Sequence, residues 1–112
     1  MTRNGYHGTG TAAVAHIGFC LTDDEVAAAH YAQLNGTEPT VYAVSTDTTD
    51  LDVVEVEYDY DGCEPVLTGI TADIATYTDC DEQGRTHRTW MLLTPAAVAA
   101  TTIGQGTPAD EI

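Results

Sequence analysis

The chain has 112 residues, of which 18 are acidic and 3 basic, for a net charge of −15. Its apolar fraction of 43% is enough for a packed core, and the length suits a single domain, so neither a disordered chain nor a pair of full domains is expected. With no lysine and only Arg3, Arg85 and Arg88, there is no basic stripe to grip phosphates; direct nucleic-acid binding is not expected, and an anionic membrane surface would repel the chain.

No apolar run approaches the ~20 residues needed to span a bilayer, and the start of the chain lacks the basic-then-apolar pattern of a leader. Cys20, Cys63 and Cys80 are odd in number, with no C-x-x-C, which argues against a disulfide framework. His7, His16, His30 and His87 do not fall at zinc-ligand spacings, so no metal is expected. A reduced, cytoplasmic protein is the simplest expectation.

In chain order, residues 1–5 read as loose, and Tyr6-His7 as the end of a short first strand. Residues 11–16 suit a turn or two of helix. A short β-like segment, 18–22, leads into a helix with Thr22 as N-cap and Glu25 three residues later, a capping-box spacing. Asp23 and Asp24 suit its positive end, Asn35-Gly36 stops it, and Ala27, Tyr31 and Leu34 share the face predicted to be buried. Strands follow at 41–45 and 53–60. In the latter Val54, Val56, Tyr58 and Tyr60 alternate with Glu55, Glu57, Asp59 and Asp61, and Asp61-Gly62 marks a turn. Further strands are predicted at 70–77 and 86–93, joined by a hairpin loop at 81–84. Thr94-Pro95 opens a second short helix over 95–100. Residues 1–100 are thus predicted to form one α+β domain with a largely antiparallel sheet system, and 101–112 a flexible tail.

Tyr6-His7-Gly8-Thr9 is the first candidate for chemistry. The histidine can bond a sugar hydroxyl, and the glycine after it permits close approach of the backbone to a ligand. Gly18-Phe19 then leads into the helix that carries Tyr31. Together His7-Gly8, Gly18-Phe19 and Tyr31, followed by Val41-Tyr42-Ala43-Val44, resemble the ADP-ribosyltransferase superfamily in its histidine–tyrosine–glutamate branch, which includes poly(ADP-ribose) polymerases and diphtheria-toxin-like enzymes. The resemblance covers the first half of the chain.

It implies two small, mainly antiparallel sheets with one or two short helices. NAD would be the substrate, held between the sheets by His7, Gly8, Thr9, Gly18, Phe19 and Tyr31. His7 would contact the ribose, Tyr31 would stack on nicotinamide, and one ADP-ribose unit would be transferred with release of nicotinamide. Departures are visible. Cys20 stands at the family's second stacking aromatic, and Ala28 at its hydroxyl contact to the carboxamide. In Arg88-Thr89-Trp90, Thr89 occupies the position of the catalytic glutamate, and a hydroxyl carries no charge at neutral pH. Glu82, in the preceding loop, is the candidate substitute, and His87 is on the same strand with the opposite charge. Arg3, Arg88 and a nest of backbone amides after His7 are the candidates for meeting the pyrophosphate.

A second reading comes from a different class. Glu55, Glu57, Asp59 and Asp61 would line one strand face, and four like charges in a row favour a basic protein partner or mimicry of DNA phosphates. On that reading the same scaffold is a non-catalytic interaction protein.

Overall fold

The computed structural model describes residues 1–34, 37–80 and 84–112. They build an α+β fold around a seven-stranded sheet. The interior strand β1 (Thr2–Thr9) pairs antiparallel with β3 (Thr40–Asp47) from Thr2 opposite Asp47 to Thr9 opposite Thr40. On its other side Tyr6 faces Thr22 of β2 (Cys20–Thr22). Beyond β2 come β8 (Thr86–Leu92) and β7 (Ile74–Cys80), both antiparallel, and then β4 (Val53–Glu55), which runs parallel to β7 at the edge. The opposite edge is β9 (Thr101–Pro108) against β3. A separate hairpin joins β5 (Tyr58–Asp59) to β6 (Glu64–Pro65). The sheet is therefore one continuous layer plus a hairpin, rather than the two small sheets expected.

Alternation along the strands sorts the two faces. Trp90 and Leu92 of β8 join Phe19, Leu21, Val44 and Ile74 in the main core, which α2 (Pro95–Ala99) covers with Ala97. Thr94 caps α2 by accepting the Ala97 amide, and Pro95 fills the first position, as its sequence predicts. On the other side α1 (Glu25–Leu34) lays Ala28, Ala29 and Ala32 against Val41 and Ala109.

Several expectations are corrected. The N-cap of α1 is Asp24, whose Oδ1 accepts the amides of Val26 (3.0 Å) and Ala27 (3.2 Å). Thr22 instead belongs to β2 and donates its hydroxyl to the Arg88 carbonyl at 3.0 Å, because pairing with β8 claims it before the helix begins. The buried face of α1 is its alanine face; Tyr31 and Leu34 are 57% and 58% exposed. Residues 11–16 form no helix, and 1–5 are not loose, since β1 starts at Thr2.

Nor is 101–112 a flexible tail. Thr101 Oγ1 lies 2.8 Å from the hydroxyl of Thr46, a residue with no exposed surface, and the 3-10 turn Ala109–Glu111 buries Ala109 beneath α1. The predicted strand 53–60 breaks after Glu55: β4 follows β7, whereas Tyr58 turns into its own hairpin. The strand expected at 70–77 begins only at Ile74, because Asp73 is occupied in a loop, accepting the Asp52 amide (2.9 Å) and the Thr94 hydroxyl (2.7 Å).

Candidate functional site

A cleft of about 810 Å³ opens between the sheet, α1 and the β5–β6 hairpin. Every histidine of the chain (His7, His16, His30, His87) and every cysteine (Cys20, Cys63, Cys80) lines it. These seven side chains come from seven different elements or loops, and they are residue types much used for proton transfer and nucleophilic chemistry. Among the described residues no three of them, with or without acids, converge to hold a metal ion.

The strands explain the lining. On β8 the residues that alternate with core-facing Trp90 and Leu92 are His87, Thr89 and Met91, and all three face the cleft. Their cross-strand partners continue the same face: Cys20 opposite Met91, Thr22 and Tyr77 opposite Thr89, and Asp79 opposite His87. Thr89 is 5% exposed, so a buried hydroxyl stands at the position expected from the sequence to hold an acid.

His7 is fixed on two sides. Its ring stacks on Phe19 with centroids 3.9 Å apart and planes 15° apart, and its Nδ1 lies 2.6 Å from the Cys20 carbonyl oxygen. A carbonyl only accepts, so Nδ1 carries the hydrogen and the neutral ring leaves Nε2 as an acceptor. Burial lowers the pKa of His7, outweighing the Cys20 carbonyl bond that raises it; nearby His16 lowers it further. The ring is therefore neutral at pH 7.

Gly8 has a different role from the one expected. A Cβ there would lie 1.9 Å from the Ala28 carbonyl oxygen and 3.2 Å from Ala32 Cβ, so its missing side chain admits α1, not a ligand. Gly18, at φ +93°, makes the bend that brings Phe19 into register, and its amide donates to the Leu92 carbonyl at 2.7 Å. The backbone from His7 to Thr9 continues as an extended strand against β3, so no anion nest forms there.

No family model, curated protein or solved structure matches the chain.

Of the residues picked out in the sequence, His7, Gly8, Thr9, Gly18, Phe19, Tyr31 and Thr89 all line this one cleft, although Tyr31 reaches it from an exposed helix face. Glu82 lies outside the described residues. Arg3 and Arg88 do not line the cleft. The guanidinium of Arg3 sits over the Trp90 ring, 4.4 Å from its centroid, and Arg88 Nη1 bonds Glu55 (3.2 Å) and Thr76 (3.4 Å).

Sequence reasoning missed the acids of the cleft, Asp79 and Glu64, and its second aromatic group. Tyr58 stacks on Tyr77 with centroids 5.5 Å and planes 17° apart. The signal for Asp79 was alternation, since it follows Tyr77 at i+2 on β7. Its Oδ2 lies 3.9 Å from His87 Nε2, an ion pair whenever that ring is protonated, and His87 Nδ1 is 3.2 Å from the Arg85 carbonyl oxygen. Burial pushes the Cys20 thiol up to about 11, against a lowering contact from Tyr77, so at neutral pH it is no thiolate nucleophile. Burial likewise raises Tyr77, and it raises Tyr58 to about 12 with help from Asp79.

The acidic strand divides as its pattern requires. Glu55, Glu57, Asp59 and Asp61 are exposed, whereas Val54, Val56 and Tyr58 are half-buried. Tyr60 departs from the pattern: at the start of the hairpin turn it is 60% exposed and meets Tyr58 edge-on, with centroids 4.9 Å apart.

Proposed function

We propose that the cleft binds NAD by its nicotinamide–ribose end, on an ADP-ribosyltransferase-like scaffold. The observation that carries this reading is that His7, Tyr31 and Thr89, from three distant parts of the chain, line one cleft. Neutral His7 offers Nε2 to a ribose hydroxyl, and its stack on Phe19 holds the ring at a set angle. Tyr31, 57% exposed where α1 borders the cleft, offers its ring to the nicotinamide.

Transfer would break the bond between ribose C1′ and the nicotinamide nitrogen. Nicotinamide leaves with the bonding pair, and the acceptor supplies a new pair to C1′ and loses a proton. The positive charge that develops on the sugar needs a nearby carboxylate. Thr89 supplies none, and among the described residues Asp79 and Glu64 are the acids that line the cleft. Binding with weak turnover is therefore the expected behaviour. Calorimetry with NAD tests it: saturable binding that His7→Ala and Tyr31→Ala each weaken supports the reading, and no heat at millimolar NAD refutes it.

A second reading has its own observation. Arg85 pairs with Asp24, Arg88 with Glu55, and Arg3 is engaged on Trp90, so no basic side chain is paired with Glu57, Asp59 or Asp61 among the ion pairs described. Such a face suits docking of a basic protein. A pull-down with a basic partner that succeeds while NAD binding fails would favour it.

A further inference from the structure

The cleft has an unusual charge inventory for a site that meets a phosphorylated ligand. The chain has three arginines and no lysine, and none of the three lines the cleft. Arg3 and Arg88 lie against Trp90 and Thr76, which face the opposite side of the sheet from Thr89. Arg85 is held by the carboxylate of Asp24. The N-terminus of α1, the other ordinary anion site, is closed: Asp24 takes the amides of Val26 and Ala27, and Asp23 and Glu25 flank it. Beside its four histidines and neutral hydroxyl and amide groups, the cleft offers, among the described residues, two carboxylates, Asp79 and Glu64, and the faces of tyrosine rings.

Carboxylates and aromatic faces attract a cation and repel a phosphate. Resting on the NAD reading above, we propose that the cleft selects the positively charged nicotinamide nucleoside and makes no arginine or lysine salt bridge to phosphate, so that a pyrophosphate bound to that nucleoside points to solvent. Nicotinamide riboside, with net charge +1, is then preferred to its mononucleotide and to NAD, in which phosphate charges outweigh the ring. The surrounding field, from a chain of net charge −15, acts in the same direction.

Calorimetry on the full chain at pH 7.5 with the three ligands tests this. The expected result is riboside binding at least about tenfold tighter than either phosphorylated ligand at low salt, with the gap narrowing as salt screens the cleft. The double variant Glu64→Gln, Asp79→Asn should narrow the gap several-fold in the same buffer. Mononucleotide or NAD binding as tightly as the riboside overturns the inference and leaves the NAD reading standing. A gap that persists unchanged at high salt also overturns it, since charge is then not the cause. If none of the three binds, the NAD reading itself falls, and this inference falls with it.

Discussion

His7 lies flat on Phe19, ring on ring at 3.9 Å, with its Nδ1 bonded to the Cys20 carbonyl of the neighbouring strand β2. Phe19 belongs to the main core and His7 to the cleft, so this stack is where the packing of the protein sets the geometry of the site.

One consequence is a pH dependence. The folded pKa of His7 lies below the ordinary 6.5, so between the two values the unfolded chain binds more protons. Its contribution to stability is complete above the ordinary value and is lost as pH falls through it. NMR titration should show His7 charging at lower pH than an unperturbed histidine. In urea melts between pH 5 and 8, His7→Gln should remove that part of the acid loss.

The glycines separate space from strain. Gly8→Ala drives a Cβ to 1.9 Å from a backbone oxygen of α1, so the helix must shift; a loss of about 1–3 kcal/mol is expected, with altered chemical shifts around Ala28. Gly18→Ala meets nothing within 4 Å and costs only its left-handed backbone, about 1–2 kcal/mol. Denaturant melts with NMR spectra of both variants distinguish the two mechanisms.

The helix cap gives a third test. Asp24→Ala removes the acceptor of two amides and the partner of Arg85, and should cost about 0.5–2 kcal/mol. Burial pushes the Asp24 carboxyl up, but Arg85 and the two amides outweigh it and hold it below its ordinary value, so this contribution disappears as pH falls through that lowered value. Thr22→Val should leave helix content intact, because that hydroxyl donates to the Arg88 carbonyl and on the helix side accepts only the Asp24 amide, at 3.4 Å, ahead of the first turn.

On the proposed NAD reading, turnover should respond to an acid introduced at position 89. Wild-type NAD hydrolysis is expected to be weak, and Thr89→Glu to raise it, because the position lines the cleft opposite Tyr77. Asp79→Asn should lower whatever activity the wild type has while leaving NAD binding measurable. An unchanged rate in Thr89→Glu, with the fold intact by circular dichroism, would count against Thr89 as the functional position.

The acidic face predicts a salt effect. At about 0.1 M salt the interaction between exposed charges decays over about 10 Å, so neighbouring acids along 55–61 repel at low salt and are screened as salt rises. Thermal stability should rise with salt, and Glu57→Gln with Asp59→Asn should raise it at low salt and flatten the dependence. Asparagine keeps an oxygen to accept the Asp61 and Gly62 amides that Asp59 now holds, so the turn survives the change. If stability does not move but capture of a basic partner is lost, the face is an interface.

Local chemistry made much of this protein legible before folding. The span of α1, the Thr94-Pro95 start of α2, strands β3 and β8 and the in-out alternation from Val54 to Asp59 all rest on neighbours a few residues apart, and so does the α+β class. The seven residues from His7 to Thr89 that share the cleft were also readable as candidates, by residue type and spacing. Tertiary contacts decided the rest. Both chain ends look featureless alone and became strands because β3 stands between them and pairs with each. Tyr31 and Leu34 are large enough to suggest a buried face, yet Ala28 and Ala32 are buried instead, because only small side chains let the helix backbone press onto Gly8. Alternation put Asp79 on the same strand face as Tyr77, but only the register of β7 on β8 set it opposite His87 in the cleft.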